Sequence, residues 1–308
     1  MRAIKYPVAV GLVALLAACG GAEPSLAQIA GDARHAASRA LPEAKRGDLL
    51  YVSDAEDTAP AVYFLSYPAG KLVGTIDDFG GAPPTGMCVD REQNVWITED
   101  HSGIQEYAHG GTSRIGYVNG PSDDEYRGCA FDRKTGNLAA ASLNGDIAIF
   151  ADAQGTPAVY SDSQLQRALA CGYDDKGNLY VVGFGNGSGF AFAELPEGSS
   201  ELTNITLDKT IHAPGGVQWD GKHVDVSDAE EGVIYQTNGA GGQVVGATYL
   251  DLSVQLTTGQ FWIQGSQVIV AVSDGIVGYW SYPAGGYPTK TLSGFEAPFG
   301  TVISKGKR

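Results

Sequence analysis

The sequence is short of positive charge, histidine and methionine. Against 35 acidic residues, the 308-residue chain has only 20 Lys and Arg, 5 His and 2 Met, and its formal net charge is −15. This balance would repel a polyanion, so we expect no nucleic-acid partner. After residue 19 the chain also lacks an apolar run long enough to span a bilayer.

Glycine, in contrast, is abundant at 43 residues, and a glycine-containing segment recurs along the chain. The segment consists of a small residue, three mostly apolar residues and often an Asp with a tight turn. It occurs at residues 86–90, 128–132, 170–174, 216–220, 259–263 and 300–304. Successive segments begin 42, 42, 46, 43 and 41 residues apart. One four-stranded propeller blade requires about this length.

The rest of each repeat supplies the other strands of a blade. Three further apolar runs follow each segment, and Asp, Asn and Gly at the turns between them favour hairpins. Residues 48–54, 61–66 and 71–76 match second, third and fourth strands without a first, whereas 299–304 match a first strand alone. The ends therefore complete one blade and leave no open edge.

The predicted fold is all-β, a six-bladed β-propeller of four antiparallel strands per blade, closed by pairing the C-terminal strand with the N-terminal blade. The segment Ser-Tyr-Pro-Ala-Gly at 66–70 returns at 281–285, which supports the same phase of the repeat. A β-sandwich is the alternative, but it explains neither the period nor the complementary ends.

The N-terminus has the layout of a secretory signal. Arg2 and Lys5 precede an apolar run at residues 7–16, and the run ends in Leu-Ala-Ala-Cys at 16–19. This ending resembles the bacterial lipobox, whose Cys becomes the lipidated first residue; the alternative is an ordinary signal peptide that contains a Cys. We predict a signal peptide at 1–18, lipidated Cys19 with a flexible tether to residue 46, and the propeller at 47–308. The expected location is the bacterial cell envelope, at the outer membrane facing the periplasm or the cell surface.

Three cysteines remain once Cys19 is set aside, and two interpretations stay open for them. Cys88 points opposite to Cys129 and Cys171 within the repeat, so Cys88 and Cys129 could form a disulfide across adjacent blades in an oxidising compartment. Alternatively, all three are small buried hydrophobes, as free Cys often is.

One segment resembles an enzyme family. Residues 84–98 (PTGMCVDREQNVWIT) look like the P-D-G-M-C-I-D…G-x-L-W-V segment of the senescence-marker/gluconolactonase-like propellers, and GNLAAAS and GNLYVVG look like NHL-type blades. These belong to the TolB-like six-bladed superfamily. The resemblance implies a divalent metal over the channel, held by an Asp, an Asn and a Glu. This chain has Thr85 and Gly215 at the first two positions and no Glu at 298–300. A lactonase of that type is disfavoured, because hard cations need several oxygen ligands.

The residues just before the glycine segments should ring one mouth of the channel, with the loops between second and third strands beside them. Propellers commonly bind through such loops. The candidate ligand-binding residues at this mouth are Thr85, Glu99, Tyr126, Arg127, Arg167, Asp228 and Phe299. Arg127 and Arg167 suit bidentate recognition of a carboxylate, although either could instead pair with nearby Asp123, Asp124 or Asp162.

Two functions are consistent with these residues. The first is a monomeric, lipid-anchored, non-catalytic scaffold that binds a protein, peptide or glycan, needs no cofactor and touches the membrane only through its lipid. The second is a divergent metal-dependent lactonase or hydrolase, or an enzyme resembling virginiamycin B lyase. It would use His101 and His212 with calcium or zinc. Loss of the matched ligands favours the scaffold.

Overall fold

Six antiparallel sheets stand in a ring around a central channel in the computed structural model, which describes residues 38–56, 59–121, 125–251, 256–272 and 274–307. We number these blades I to VI in ring order. From the channel outward, blade II consists of Pro84–Val89, Val95–Glu99, His101–Tyr107 and Arg114–Asn119, and blade III of Tyr126–Phe131, Leu138–Ser142, Ile147–Phe150 and Ala158–Tyr160. Blade IV consists of Arg167–Tyr173, Leu179–Phe184, Phe190–Leu195 and Thr203–Asn204, and blade V of Pro214–Trp219, Val224–Asp228, Val233–Thr237 and Val244–Tyr249. Blade VI consists of Leu256–Gln264, Gln267–Val272, Ile276–Ser281 and Lys290–Ser293. The predicted propeller is confirmed.

Blade I joins the two ends of the chain, as the sequence predicts. Its innermost strand is Pro298–Ser304, and the strands outside it are Leu49–Asp54, Ala61–Ser66 and Leu72–Ile76. The register pairs Leu49 with Ser304. Because the ring is closed, every innermost strand has a neighbour on both sides. One hydrophobic cluster fills each of the six interfaces between adjacent blades.

The folded domain begins before residue 47, which corrects the predicted extent of the tether. Arg39–Ala40 adds a short fifth strand to blade I by pairing with Thr75 and Gly74. The 3-10 helix Pro42–Lys45 follows, and its Ala44 is 0% exposed. A two-residue strand is too short to produce an alternating pattern in the sequence, which is why periodicity does not reveal it. The other described helices are the 3-10 turns Ala151–Ala153, Asn186–Ser188 and Gly239–Gly241, and none has the length and apolar character to cross a bilayer.

The recurring segment of the sequence has a physical origin at the channel. A Cβ atom on Gly86 would lie 2.5 Å from the Arg127 carbonyl oxygen and 2.6 Å from Gly128 Cα, because innermost strands of adjacent blades meet there. The Asp that ends the segment caps the following turn. Asp174, for example, accepts the backbone N–H groups of the next turn at 2.9 Å. The repeat therefore encodes close approach and turn geometry.

Blade VI departs from the sequence-based alignment by one residue. Phe261 pairs with Val270 in the same way that Val217 pairs with Val226 in blade V, so Gln260 rather than Gly259 occupies the glycine position. The register of the innermost strand shifts between Leu256 and Phe261. An irregularity of this kind adds a residue that a fixed spacing cannot anticipate.

Candidate functional site

The channel has two ends, which the direction of the innermost strands distinguishes. The upper end is the one where these strands begin, at Pro84, Tyr126, Arg167, Pro214 and Pro298. The lower end is the one where these strands finish. The sequence analysis places all candidate ligand-binding residues at the upper end.

Arg127 is the centre of a compact group at the upper end. Its Nη2 lies 3.0 Å from Asp100 Oδ1 and 4.0 Å from Glu125 Oε2. Its guanidinium carbon lies 5.9 Å from the centroid of the Phe299 ring, which comes from blade I. The side chain is 23% exposed. Arg127 is thus held between two carboxylates and an aromatic ring, with part of the guanidinium still reachable from solvent.

Arg167 is similarly placed on an aromatic ring, but without the same enclosure. It pairs with Phe184 across the first two strands of blade IV, and its guanidinium carbon lies 5.9 Å from that ring's centroid. The residue is exposed. Of the acidic partners proposed from sequence, Asp123 and Asp124 lie outside the described residues, and Asp162 accepts hydrogen bonds from Gln164 and Asn204.

Thr85 and Tyr126 lie beneath this surface rather than on it. Both are 0% exposed. Thr85 Oγ1 lies 2.7 Å from the Tyr126 carbonyl oxygen and 2.8 Å from Thr98 Oγ1. A Cβ on Gly120 would clash with the Tyr126 hydroxyl. Burial places both side chains under the surface, where they support the neighbouring segments.

Asp228 also supports the upper end. The residue is buried, and its carboxylate accepts the backbone N–H groups of His212 at 2.7 Å and Ala213 at 3.1 Å. Asp54 does the same in blade I for Glu296 and Ala297, at 2.9 and 2.7 Å. The repeated Asp thus ties the second strand of a blade to the loop that enters its innermost strand. Asp228 is therefore not a free ligand group.

Glu99 occupies the equivalent position in blade II, since it pairs with Pro84 as Asp228 pairs with Pro214. Its longer side chain is buried and accepts a hydrogen bond from Gln105 Nε2. Burial raises the pKa of the Glu99 carboxyl above its ordinary value, although the Gln105 hydrogen bond and the charges of Arg114 and His101 oppose the rise. Glu99 lies between blades I and II, next to the interior Tyr107 and Gln105 pair.

His101 and His212, the weak catalytic candidates, are not brought together. His101 begins the third strand of blade II, whereas His212 precedes blade V, and these blades are opposite one another in the ring. His212 Nδ1 instead lies 3.3 Å from Asp228 Oδ2 and 3.6 Å from Glu231 Oε1. Within the described residues, no group of three or more His, Cys, Asp or Glu is arranged to hold a metal ion.

The lower end contains a feature that the sequence analysis missed, a cavity of about 530 Å³. Its walls carry five aromatic side chains: Phe131, Tyr173, Trp219, Phe261 and Trp262. Four of these, Phe131, Tyr173, Trp219 and Trp262, stand at the fourth position of the segments as the sequence spaces them, and this aromatic position is the signal that could have located the cavity.

Gln260 crosses the channel at the inner limit of this cavity. Its Oε1 accepts the Met87 N–H at 2.9 Å, and its Nε2 donates to the Met87 carbonyl at 2.6 Å. Gln260 stands where the other blades have Gly or Ala, so its longer side chain extends into the channel. The amide thereby pairs both backbone polar groups of Met87, a residue of blade II.

The Cys88–Cys129 disulfide lines the same cavity and joins blades II and III, with a Cα–Cα distance of 5.6 Å. Cys171 is a buried free thiol whose Sγ approaches the Ala139 carbonyl at 3.8 Å. Burial raises the pKa of the Cys171 thiol to about 12, so it is an inert thiol rather than a nucleophile.

Neither protein-family models nor curated proteins match the chain. Solved structures do. A crystal structure of a nidogen/laminin complex aligns with a TM-score of 0.68 at 14% identity, over 85% of this chain and 100% of that one. A protein of unknown function from Bacteroides caccae aligns with a TM-score of 0.62 at 12% identity, over 84% and 99%. The shared feature is the propeller fold. The closer resemblance to NHL-repeat and gluconolactonase-like propellers stays a prediction.

Proposed function

We propose that this propeller is a lipid-anchored, extracytoplasmic binding scaffold whose upper end takes a polypeptide partner through a carboxylate group. The observation that carries the proposal is the setting of Arg127, which is stacked against Phe299, paired with Asp100 and still partly exposed. Stacking fixes the plane of a guanidinium, so less conformational entropy is lost when its fork binds a carboxylate.

Arg167 extends the same surface, because it lies exposed over Phe184 at the start of the next innermost strand. The other predicted positions give this surface a rigid base, since Asp228 and Thr85 bind backbone groups from neighbouring segments. A rigid base under exposed, stacked arginines suits recognition by loops on a fixed scaffold.

A protein partner is favoured by the comparison with the nidogen/laminin structure, which is a complex of two proteins. The propeller we propose acts as a monomer without a cofactor. Its partner presents an acidic side chain or a free C-terminal carboxylate.

The binding proposal is tested on an array of synthetic peptides that differ in acidic content and in whether the C-terminus is free or amidated. The full chain, purified in detergent, is the probe. We expect it to retain peptides with an accessible carboxylate, with an affinity that falls as salt is raised. Arg127→Ala and Arg167→Ala should each weaken that binding by about ten-fold, the effect of losing one charge-assisted contact.

Two control variants make this test specific. Arg127→Lys keeps the charge but loses the planar fork, so it should bind more weakly than the wild type. Arg133→Ala removes an arginine from the lower end and should bind normally. Equal retention of acidic and neutral peptides, or unchanged binding by both alanine variants of the upper end, would refute the proposal.

Lipid anchoring is proposed from residues 1–19, which lie outside the described residues. The basic start, the apolar run and Leu-Ala-Ala-Cys at 16–19 support it, and a disulfide between Cys88 and Cys129 fits an oxidising compartment. Metabolic labelling with a radioactive fatty acid should mark the wild-type protein in the membrane fraction and leave Cys19→Ala unlabelled. Equal labelling of both would exclude Cys19 as the lipidated residue.

A further inference from the structure

The cavity at the lower end is a second site, separate from the upper-end arginines. We infer that it binds a small apolar molecule containing an aromatic or alicyclic ring, with any polar substituent left at the rim. This inference does not depend on the proposed polypeptide partner, because the two surfaces lie at opposite ends of the channel.

The walls of the cavity define the chemistry of the ligand. They present the rings of Phe131, Tyr173, Trp219 and Trp262, together with the Cys88–Cys129 disulfide. Phe131, Tyr173, Trp219 and Trp262 are only partly buried, so part of their surface stays accessible. Aromatic faces and edges stack well against another ring.

The side-chain amides and carboxylates near the inner part of the cavity already have internal partners, whereas the buried Trp262 Nε1 has none among the described residues. Gln260 bonds both polar atoms of Met87, and Gln218 accepts the Ile263 N–H at 2.7 Å and donates to the Ile263 carbonyl at 3.2 Å. Asp132 and Asp174 accept backbone N–H groups of their own turns. Except at Trp262 Nε1, a polar group brought inward would lose water without an equivalent partner in return, so the buried part of a ligand should be mostly apolar.

The dimensions of the cavity also fit a small molecule. The lining begins at Cys88, Cys129, Cys171, Val217 and Gln260 and includes no residue closer to the upper end on those strands. The lining therefore stops at the level of the Gln260 crossing. A volume of about 530 Å³ lies within the usual range for ligand pockets.

The rim is where a polar substituent would lie. Arg133 and Asp175 are exposed lining residues, whereas Lys134 Nζ is engaged with Glu197 at 2.6 Å. A rim that carries both charges favours a neutral or weakly polar substituent over a strongly charged one, because each of the two residues repels the substituent that the other attracts.

The test uses N-phenyl-1-naphthylamine, a neutral ring compound whose fluorescence rises in apolar surroundings. We expect saturable binding of one probe per chain, with energy transfer from tryptophan, since Trp219 and Trp262 line the pocket. Unlabelled indole or naphthalene should compete. Phe131→Ala and Trp219→Ala should each weaken binding by about ten-fold through loss of a wall.

Further variants separate this site from the alternatives. Trp219→Phe keeps a ring in the wall, so affinity should persist while energy transfer falls, even if Trp219→Ala fails to fold. Tyr287→Ala removes an aromatic residue that is 81% exposed and outside the cavity, and the double variant Arg127→Ala, Arg167→Ala alters only the upper end. Both should bind the probe normally. Absence of saturable binding, or equal binding by Phe131→Ala and the wild type, would overturn the inference.

Discussion

Asp225 is a buried carboxyl that stays protonated at neutral pH. The residue is 0% exposed, its Oδ2 accepts the Tyr282 hydroxyl at 3.0 Å, and the same hydroxyl lies 2.7 Å from Asp220 Oδ2. Burial, with the nearby Asp220 charge, raises the pKa of Asp225 to about 8. The two carboxyls thus share one hydroxyl while only Asp220 is ionised at pH 7.

Replacing Asp225 should increase the stability of the protein by an amount that grows as the pH rises. The unfolded Asp225 ionises near its ordinary pKa of 3.8, so between that pH and about 8 the folded protein holds a proton that the unfolded chain has lost. The contribution of Asp225 to the free energy of unfolding should fall by about 1.4 kcal/mol per pH unit across that window and level off above it. Asp225→Asn removes the titration and keeps a hydrogen-bonding group beside Tyr282.

Urea unfolding at several pH values measures the effect. The stability of Asp225→Asn relative to wild type should rise between pH 5 and 8 by about 4 kcal/mol at most. Asp274→Asn, at an exposed turn, is the matched control and should show no such trend. A difference between Asp225→Asn and wild type that does not change with pH would contradict the buried protonated state.

Gly86 stands at the recurring glycine position, and replacing it should reduce the stability of the fold. An added Cβ would press on the Arg127 carbonyl and on Gly128 Cα at 2.5 and 2.6 Å, and both contacts are to backbone. Gly86→Ala should therefore destabilise the fold by about 1–3 kcal/mol. Gly47→Ala is the control, since nothing lies within 4 Å of its Cβ position. Equal midpoints of urea unfolding for the two variants would argue against close packing of these strands.

Single residues also show where sequence-based reasoning succeeds and fails. Ser-Asp recurs at 53–54, 227–228 and 273–274, which indicates a structural turn at a strand end. Asp54 and Asp228 accept backbone N–H groups, as this interpretation expects, whereas Asp274 is exposed. The same hydrogen bonds occupy the Asp228 carboxylate, so its predicted contact with a ligand would have to compete with them. A residue type says which atoms can bond, but only the surrounding backbone decides whether they are already bonded.

At the scale of the elements, the Cys88–Cys129 disulfide joins two innermost strands that are 41 residues apart in sequence. Removal of a cross-link over a loop of this length should cost about 2–4 kcal/mol. We expect Cys88→Ala, Cys129→Ala to unfold at lower urea than the wild type. Reducing agent should shift the wild type toward the double variant and leave the double variant unchanged. An identical response of both proteins to reduction would exclude a stabilising disulfide.

The innermost strand of blade VI marks the limit of a repeat-based alignment. Five blades follow the spacing, but a register irregularity in Leu256–Gln264 moves Gln260 into the position where the others have Gly or Ala. That shift puts a long amide into the channel, where it binds both polar atoms of Met87. The bulge could not be read from spacing, because a single extra residue leaves the average period nearly unchanged.

At the scale of the whole molecule, ring closure depends on one strand contributed by the C-terminus. Deleting residues 298–308 exposes the edge of Leu49–Asp54 and opens both interfaces of blade I. We expect this truncation to lose cooperative thermal unfolding and to aggregate. Deletion of 305–308 keeps the strand and removes only flanking contacts such as Gly306 N–H to Asp48. It should retain a cooperative transition close to that of the full chain. A cooperative transition in the longer deletion would mean that the ring does not need its closing strand.

The sequence alone determined the architecture of this protein, because a propeller is a local pattern repeated. Close approach at Gly86 and turn capping by Asp174 act over a few residues, so they recur at a readable spacing. The tertiary structure alone decided which side chains are reachable. Arg127 meets Phe299 only because the ring closes, Thr85 is buried by its neighbours, and the lower cavity forms where Phe131, Tyr173 and Trp219 converge from three blades. Such contacts join distant parts of the chain. The repeat marks the aromatic position that the cavity uses, but no spacing in the sequence records that Arg127 reaches Phe299 or that Thr85 is buried.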